Sequence, residues 1–399
     1  MFVVGRKNIF EKIGQAISHE VVWFHCSSLG EFEQARPLME KLKIENGKLK
    51  ILITFFSPSG YEVRKKYEGA DFVFYLPVDT RSNVKKFLNI VNPSLVFFVK
   101  YDLWYNYLHE LNKRKTPTYL VSANFRQEQF SGMYGKYLRK VLSFFTGIFV
   151  QNESSTKILT EQNIQNITVS GDLRYDKVSQ TVLSAKKNQV VEMFTSSPAL
   201  LPREKGEKAK IMVCGSSWEQ DEKIIEKWKM ENGKWKMIIA PHEINEEHIN
   251  SLIRTFADRH ILRYSQISKE PVSTALDKLN AANVLIIDNI GMLSNLYQYA
   301  DIAYIGGGFG SGIHNILEAV AFGVPVIFGP NHHKFPEANE IIEQGGGFSI
   351  SSAEDFQKVM ELLLSDEKIL KMASMTCKNF VQGRKGATEK ILGLVSAVG

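Results

Sequence analysis

Short apolar runs alternate with amphipathic segments along the whole chain. The runs are rich in β-branched and aromatic side chains and nearly continuous, which is typical of strands buried on both faces of a sheet. Alternation of such strands with helical segments predicts parallel sheets covered by helices. The predicted strands are 21–26, 50–56, 71–77, 94–100, 118–123, 147–152 and 167–171 in the first half, and 211–215, 236–241, 283–288, 302–307 and 325–329 in the second.

Helical patterns fill the intervals between these strands. Together, strands and helices predict an α/β protein with two Rossmann-like domains whose parallel sheets face a central cleft. The first domain is expected at 1–172 and the second at 210–399, and the mostly polar stretch 173–209 is expected to be a linker. The pattern leaves open whether the last helix crosses back to the first domain. The predicted helices are 31–42, 61–67, 84–88, 104–113, 219–229, 246–256, 291–299, 314–321 and 338–344.

Composition excludes several classes of protein. The 399 residues are 44% hydrophobic and 23% charged, which is ordinary for a globular protein and excludes collagen-like and disordered chains. Three cysteines lie far apart without a C-x-x-C pair, so neither a zinc ribbon nor a disulfide framework is expected. The most apolar stretch, 141–150, is about half the ~20 residues that span a bilayer, so no transmembrane anchor is expected in this chain.

The positive charge is concentrated in the first half of the chain. Residues 1–170 hold 23 Lys and Arg against 15 Asp and Glu, whereas the remainder is nearly neutral. This asymmetry suggests that the first half meets nucleic acid, an anionic membrane surface or a phosphorylated substrate. A solvated, lysine-rich surface explains the same charge.

A glycine-rich stretch, 305–315 (IGGGFGSGIHN), follows a predicted strand and opens a predicted helix. Backbone N–H groups at such a helix start attract phosphate, although a structural tight turn explains the glycines equally well. Asn315 and Glu318 lie three residues apart on that helix, where the carboxylate could accept hydrogen bonds from ribose hydroxyls. The alternative is an ordinary capping arrangement. Farther on, the adjacent His332 and His333 lack carboxylate or Cys partners, so no metal ion is expected there.

Glu31 is the most informative residue of the first half, because it follows the first strand and lies in the first turn of the first long helix. A carboxylate at the carboxyl end of a strand could act as a general base, or could simply complement the helix dipole. The neighbouring His25 and Cys26 point to opposite faces of a strand and cannot easily form a nucleophile–base pair.

The motif around Glu31 is part of a wider resemblance. Residues 23–31 (WFHCSSLGE) resemble the W-x-H-A-x-S-x-G-E signature of the bacterial 3-deoxy-D-manno-octulosonic acid (Kdo) transferases. Further segments follow in the order of that family, and the resemblance covers roughly residues 5–390. These segments are 75–79 (YLPVD), 103–104 (LW), 171–176 (GDLRYD), 215–217 (GSS) and the stretch from Gly306 to Pro330.

The resemblance implies a GT-B fold and an inverting, metal-independent transfer of Kdo from CMP-Kdo to a lipid A precursor (lipid IVA) in lipopolysaccharide core biosynthesis. It implies no cofactor, no nucleic acid, and a peripheral location on the cytoplasmic face of the bacterial inner membrane. Glu31 matches the proposed general base of the family, and Gly306, Gly307, Asn315 and Glu318 match residues that contact CMP. The other candidates for donor binding are Arg174, Ser216, Ser217, His242, Gly308, His314 and Lys334, and those for acceptor binding are Ser28, Gly30, Asp102, Arg126 and Lys136.

Three departures from the family pattern bear on these expectations. The apolar membrane anchor with which the family usually begins is absent, which suggests truncation or peripheral binding. Residues 100–104 read KYDLW where most members have E-x-E-L-W. Lys100 therefore stands in place of the first glutamate, and the role of that carboxylate is in doubt. Residues 241–243 read PHE where P-R-H-P is common, so an arginine near phosphate is missing. His242, Lys334 or Arg174 could compensate for it.

The segment 125–149 interleaves basic and aromatic residues, a composition that suits an anionic membrane interface. A core helix with a solvated face is the alternative. The residues of this segment are Arg126, Lys136, Arg139 and Lys140 with Phe130, Met133, Tyr134, Tyr137, Phe144 and Phe145.

Two other functions on the same fold stay open: a sugar-nucleotide epimerase, and a non-catalytic sugar-nucleotide binder.

Overall fold

The structure is a computed structural model that describes residues 6–196, 209–228 and 235–396. The chain forms two compact units, Met1–Lys177 with Arg384–Gly399, and Val178–Gly383. Each unit contains one parallel sheet of seven strands, flanked by helices, so the predicted α/β class is confirmed.

The first sheet has the strand order β3-β2-β1-β4-β5-β6-β7. All six residues of β1 are buried, because helices cover both faces of a parallel sheet. β1 pairs with β2 on one side and β4 on the other, so the strand order reverses between β1 and β4. At such a switch point, ligands bind beyond the carboxyl ends of the strands. The strands are β1 Val21–Cys26, β2 Lys50–Phe55, β3 Phe72–Tyr75, β4 Leu95–Val99, β5 Thr118–Ala123, β6 Gly147–Val150 and β7 Ile167–Val169.

The second sheet has the order β10-β11-β9-β8-β12-β13-β14. β8 lies between β9 and β12, so the switch point of this sheet is at the ends of β8 and β12. The strands are β8 Lys210–Ser217, β9 Trp235–Pro241, β10 Ile261–Arg263, β11 Val284–Ile286, β12 Ile302–Ile305, β13 Val326–Phe328 and β14 Gly347–Ser349.

Nineteen helices are found within the described residues. The first eight are α1 Ile9–Ala16, α2 Leu29–Glu45, α3 Pro58–Arg64, α4 Arg81–Val91, α5 Tyr105–Lys113, α6 Gly132–Leu142, α7 Glu153–Glu161 and α8 Leu173–Leu183. They are followed by α9 Gln189–Ser196, α10 Glu219–Glu226, α11 Glu246–Thr255, α12 Tyr264–Ile267, α13 Val272–Ala281, α14 Leu293–Leu296, α15 Leu317–Ala321, α16 Pro336–Glu343, α17 Ala353–Ser365, α18 Glu367–Gln382 and α19 Ala387–Ser396. Two 3₁₀ turns, Gln127–Phe130 and Tyr297–Tyr299, complete the set.

The last helix belongs to the first unit. Ile391 and Leu392 of α19 are buried in the same apolar cluster as Phe24 and Phe32 of β1 and α2. The buried carboxylate of Asp176 accepts hydrogen bonds from the backbone N–H groups of Gly386 and Thr388, both at 2.6 Å. This carboxylate satisfies N–H groups at the start of α19, which would otherwise be unpaired.

Some elements differ from the sequence-based expectation. β10 and β14, each of three residues at an edge of the second sheet, were not predicted, because they are too short to show an apolar run. The stretch 173–209 contains α8 and α9, and Val191 and Phe194 of α9 are fully buried. The polar run at 201–208 lies outside the described residues.

The helix predicted at 314–321 begins only at Leu317, so its predicted start is wrong. Gly307 and Gly312 adopt left-handed φ values of 90° and 144°, which direct the chain through a loop. The Asn315 side chain then accepts a hydrogen bond from the backbone N–H of Leu317 at 3.1 Å. The helix that results has five residues. It is too short to act as the phosphate-binding helix terminus that the sequence suggested.

Candidate functional site

Glu31 lies directly beyond the end of β1, at the switch point of the first sheet. Ser28 is the N-cap of α2, and its hydroxyl accepts a hydrogen bond from the Glu31 backbone N–H at 3.4 Å. In return, Glu31 Oε2 accepts hydrogen bonds from the backbone N–H groups of Ser27 at 2.5 Å and Ser28 at 3.2 Å. This reciprocal capping box fixes the carboxylate. Among the described residues, no hydrogen bond reaches Oε1, which is therefore available to a ligand.

Asp102, beyond the end of β4, lies at the other side of the same switch point. Its Oδ2 is 2.5 Å from Nε2 of the fully buried His25, and it also accepts a hydrogen bond from the Ser27 hydroxyl. Ser27 therefore connects the two carboxylates, through its backbone N–H to Glu31 and through its hydroxyl to Asp102.

Asp102 and Thr54 hold the two ring nitrogens of His25. The Trp23 indole N–H donates to Thr54 Oγ1 at 2.8 Å, and His25 Nδ1 lies 2.8 Å from the same hydroxyl. Because a carboxylate only accepts, Nε2 donates to Asp102, and Nδ1 is then able to accept the proton of the Thr54 hydroxyl. The Trp104 indole N–H lies 3.0 Å from the same Nε2. Because Nε2 is itself a donor, the indole N–H donates to the Asp102 carboxylate instead.

The environments of the two carboxylates shift their pKa values in opposite directions. Burial raises the pKa of Glu31, the negative charge of Asp102 raises it further, and the two backbone N–H groups offset this only in part. Burial also pushes the pKa of Asp102 upward, but His25 and the hydrogen bonds from His25, Ser27 and Trp104 bring it below the ordinary value. Two nearby carboxylates with separated pKa values are the arrangement that acid–base catalysis uses.

The remaining acceptor candidates occupy different places. Gly30 is exposed in the first turn of α2, beside Ser28. Arg126 is exposed, and its charge lowers the pKa of the neighbouring Tyr101, although burial raises that pKa more strongly. Lys136 is exposed on α6, with no contact to Glu31 or Asp102. The structure thus brings Ser28, Gly30, Glu31 and Asp102 together, but not Lys136.

In the second unit, a pocket of about 720 Å³ opens at the switch point between β8 and β12. Its wall is formed by the N-cap and first turn of α10, the residue after β9, the glycine-rich loop after β12 and Phe335. The lining residues are Trp218, Glu219, Gln220, Asp221, His242, Gly307, Phe309, Gly310, Ser311, Gly312, Ile313, His314 and Phe335.

The buried carboxylate of Asp221 holds this pocket in shape. It accepts hydrogen bonds from the backbone N–H groups of Trp218 and Gly307, both at 2.9 Å, and from the hydroxyl of Tyr304 at 2.8 Å. One side chain of α10 thereby ties the start of that helix to the loop after β12. The sequence analysis missed Asp221 and Trp218, although it predicted the helix whose first turn and N-cap contain them.

Two of the predicted donor glycines are needed for close approach of backbone segments. A Cβ on Gly306 would lie 2.6 Å from Ser217 Cα and would also collide with the Ser216 carbonyl oxygen. A Cβ on Gly308 would lie 2.5 Å from the backbone nitrogen of Gly329. Gly307, Gly310 and Gly312, by contrast, line the pocket. In the glycine-rich loop, Gly306 and Gly308 are thus required for close backbone packing, whereas the other three glycines form part of the pocket wall.

The other donor candidates are divided between the pocket and its surroundings. Asn315 Nδ2 donates to Glu318 Oε1 at 3.2 Å, so these two residues do meet. Ser216 has a left-handed φ of 53°, and the Ser217 hydroxyl donates to the buried Glu222 at 2.9 Å. Lys334 is exposed and is not among the lining residues.

Arg174 lies in the first unit, not in the unit that holds the pocket. Its Nε donates to Asp172 at 2.7 Å. The structure thus gives this arginine a carboxylate partner within its own unit.

Within the described residues there is no group of three or more His, Cys, Asp or Glu side chains that could hold a metal ion. Across the same residues, every helix is too short or too polar to cross a bilayer. All three cysteines are buried and unpaired, and burial raises the pKa of each thiol.

The two units, each built on a Rossmann-type parallel sheet, define a protein of the GT-B class. Solved structures of similar fold include a UDP-GlcNAc 2-epimerase from Neisseria meningitidis bound to UDP-GlcNAc, with a TM-score of 0.67 and 15% identity over 95% of this chain and 100% of that one. They also include MurG of Acinetobacter baumannii, with a TM-score of 0.56 and 11% identity over 95% of this chain and 100% of that one. At these identities the likeness shows the fold alone.

Sequence similarity extends over nearly the whole chain. Residues 6–177 match the family model of 3-deoxy-D-manno-octulosonic-acid transferase (kdotransferase). The chain is 27% identical to the 3-deoxy-D-manno-octulosonic acid transferase of Haemophilus influenzae, over 94% of this chain and 86% of that protein. It is 26% identical to the transferase of the same name from Aquifex aeolicus, over 92% of each. These matches confirm the resemblance to the Kdo transferases found in the sequence, and they support the predicted glycosyltransferase activity.

Proposed function

We propose that this protein is a Kdo transferase that moves Kdo from CMP-Kdo to a lipid A precursor (lipid IVA) in lipopolysaccharide core biosynthesis, with inversion and without a metal ion. It would work as a peripheral protein on the cytoplasmic face of the bacterial inner membrane. The observation that carries the proposal is the pair of carboxylates at the switch point of the first sheet, Glu31 with a raised pKa and Asp102 with a lowered one.

Glu31 is the proposed general base. Its Oε2 is held by two backbone N–H groups, and Oε1 is free to receive the proton of an acceptor hydroxyl. As that proton leaves, the hydroxyl oxygen attacks the anomeric carbon of Kdo from the side opposite CMP. The bond between that carbon and the phosphate oxygen breaks, and CMP leaves with the electron pair. A raised pKa suits this role, because a base is most effective when its pKa is close to the working pH.

Asp102 would remain negatively charged throughout the reaction. His25, Ser27 and Trp104 stabilise its charged form, and that charge in turn raises the pKa of Glu31. Asp102 and His25 thus act on Glu31 as positioning residues.

The pocket of the second unit would hold CMP-Kdo, and Glu318 would accept hydrogen bonds from the ribose hydroxyls. Glu318→Ala is expected to weaken CMP binding by about ten- to a hundredfold, since a hydrogen bond to a charged group contributes on the order of 1.5–3 kcal/mol. Isothermal titration calorimetry measures the affinity, with Glu343→Ala, an exposed carboxylate on α16, as the matched control. Equal CMP affinity in both variants would contradict the assignment.

The exposed face of α6 supports the proposed membrane contact. Met133 is 87% exposed and Tyr134 58% exposed, and both lie on the same helix as the exposed Lys136 and Lys140. Large apolar side chains next to lysines suit an interface with anionic lipid. Arg139 has a different role: it donates to the Phe130 carbonyl at 3.1 Å and to Gln162 at 2.7 Å.

Replacing both Lys136 and Lys140 with Gln is expected to weaken binding to anionic vesicles roughly thirtyfold in a co-sedimentation assay, because each lysine near such a surface contributes about 1 kcal/mol. The binding of the unaltered chain is expected to weaken as salt rises. Lys368 and Lys371 on α18, replaced in the same way, form the control pair. If the two double variants sediment alike, α6 is an ordinary solvated helix.

The overall reaction is tested with purified protein, CMP-Kdo and the tetra-acylated lipid A precursor. Mass spectrometry of the lipid is expected to show added Kdo, and the mass gives the number of units. CMP release should depend strictly on the acceptor and should persist in EDTA. Release without acceptor, or an unchanged lipid, would favour an epimerase or a non-catalytic binder instead.

A further inference from the structure

A buried glutamine lies one turn beyond Glu31 on α2. Among the buried residues of this helix, which is described in full, Gln34 is the polar one, and it is 7% exposed. Residues three apart on a helix share a face, with Cβ atoms about 5–6 Å apart, so Gln34 and Glu31 are neighbours. A polar side chain is costly to bury unless its hydrogen bonds are made. The partners of Gln34 therefore show what it is there for.

A chain of hydrogen bonds at the carboxyl ends of β5 and β6 holds one end of this side chain. Gln151, which follows β6, donates from Nε2 to the Ser122 carbonyl oxygen at 3.1 Å and to the Ser122 hydroxyl at 3.2 Å. The Ser122 hydroxyl in turn donates to Gln34 Oε1 at 3.2 Å. Ser122 is fully buried, with a left-handed φ of 57°, where the register between β5 and β6 shifts. Such an irregularity redirects a side chain, here towards α2.

This chain of hydrogen bonds fixes the orientation of the Gln34 amide. A carbonyl oxygen can only accept, so the NH₂ group of Gln151 has to face Ser122. The Ser122 hydroxyl accepts from that group and gives its own proton to Gln34 Oε1. With the Gln34 amide reversed, the hydroxyl proton would have no acceptor among the described residues. Gln34 Oε1 is thus directed at Ser122, and Nε2 is directed away from it.

The Nε2 end of Gln34 is the end that a ligand can reach. Within the described part of the chain no hydrogen bond uses this nitrogen, yet it keeps some contact with solvent. The Glu31 carboxylate takes its hydrogen bonds from the backbone of Ser27 and Ser28, not from Gln34. One face of α2 therefore presents two unused groups side by side, the Glu31 Oε1 that can accept a proton and the Gln34 N–H that can donate a hydrogen bond.

We propose that Gln34 binds the acceptor, and that its Nε2 donates a hydrogen bond to an oxygen of the acceptor sugar beside the hydroxyl that Glu31 deprotonates. This inference rests on the proposed role of Glu31 and adds a second contact to the acceptor on the same helix face. Specific sites use a small number of placed polar groups to hold a ligand. The chain from Gln151 through Ser122 places the Gln34 amide in advance, so little freedom is lost when the acceptor binds.

The test measures initial rates with purified protein, CMP-Kdo and the tetra-acylated lipid A precursor. Gln34→Met keeps the length of the side chain and removes both polar atoms. The KM for the acceptor is expected to rise about three- to tenfold, the usual contribution of a neutral hydrogen bond, with kcat changed less than about twofold. The KM for CMP-Kdo should stay the same, because the proposed donor pocket belongs to the other unit.

Ser122→Ala separates binding from stability. Alone, it removes the hydrogen bond that orients Gln34, so a smaller rise in the acceptor KM is expected. Added to Gln34→Met, it should raise that KM no further, because the amide it orients is already gone. The thermal midpoint should respond differently. Gln34→Met leaves the buried Ser122 hydroxyl without its acceptor, and removing that hydroxyl should recover part of the lost stability.

Three results would overturn this role of Gln34. An unchanged acceptor KM in Gln34→Met, with a lower thermal midpoint, would make the residue purely structural. A rise confined to the KM for CMP-Kdo would assign the contact to the donor. A shift in the acid limb of kcat/KM would show that Gln34 acts through Glu31 rather than on the acceptor. All three leave Kdo transfer in place, whereas the proposed function fails if the unaltered chain transfers no Kdo.

Discussion

Glu31→Gln is expected to lower turnover by roughly a hundred- to ten-thousandfold, the usual contribution of a general base. Glutamine keeps the size of the side chain and its carbonyl oxygen can still accept from the Ser27 and Ser28 N–H groups, but it cannot take a proton. CMP affinity should stay the same, because the proposed nucleotide pocket belongs to the other unit. Turnover, CMP binding and the thermal midpoint measured on this one variant provide the test.

A purely structural Glu31 would give the opposite pattern. Turnover would then survive, and stability would fall by about 0.3–1 kcal/mol through loss of a charge near the helix N-terminus. Glu153→Gln is the matched control, since Glu153 is an exposed glutamate in the first turn of α7 in the same unit. Near-normal turnover in Glu31→Gln would move the search for the base to Asp102.

The pH profile gives a second, independent measurement on the same residue. A general base has to be deprotonated, so kcat/KM should fall as the pH drops through the pKa of Glu31, which burial and Asp102 raise. Asp102→Asn removes the neighbouring negative charge, so this acid limb should move to lower pH. An unmoved acid limb would show that the base lies elsewhere.

The sequence predicted the strands of the two sheets well because a strand buried on both faces is a continuous apolar run. The first strand, 21–26, has the predicted bounds. The edge strands β10 and β14 escaped prediction because each has three residues and lies at the border of the sheet, where polar side chains such as Arg263 and Ser349 are tolerated. Local apolar pattern therefore shows the centre of a sheet better than its edges.

The sequence analysis selected candidate residues one by one, but it did not predict the hydrogen bonds that connect them. Motif and position were enough to select Glu31 and Asp102 as candidates. The network around them depends on strand register, since pairing of β1 with β2 places His25 opposite Thr54, and on Ser27, which bonds to both carboxylates. No spacing along the chain encodes that register. Asp221 was missed for the same reason, because its partners Gly307 and Tyr304 follow more than 80 residues later.

Gly306→Ala is the second variant for which we expect a large effect. The new Cβ would meet the backbone of Ser216 and Ser217, which is part of β8 and cannot rotate away as a side chain would. The ends of β8 and β12 would have to separate, which would strain the hydrogen bond from the Gly306 N–H to the Gly215 carbonyl at 2.9 Å. Such overpacking costs about 1–3 kcal/mol, so the thermal midpoint should fall by several degrees.

Nucleotide binding should suffer more than stability in this variant. Moving the loop after β12 pulls the Gly307 N–H away from Asp221, and the pocket wall between Gly307 and His314 moves with it. We expect CMP affinity to fall roughly a hundredfold or more, since a charge-assisted hydrogen bond and the fit of the pocket are lost together. Calorimetric titration with CMP and a thermal melt on the same sample measure the two effects.

Gly310→Ala in the same loop is the control, because its nearest neighbour, the Gly307 carbonyl oxygen, would lie at an ordinary 3.5 Å from the new Cβ. Its φ is not in the left-handed region, so alanine should be accepted with a change in stability within about 0.5 kcal/mol. Should Gly306→Ala melt like Gly310→Ala and bind CMP like the unaltered chain, the close approach of β8 and β12 would not be what requires glycine at position 306. The glycines would then serve the ligand alone, and Gly307 and Gly312, whose left-handed φ values disfavour any side chain, would be the positions to test next.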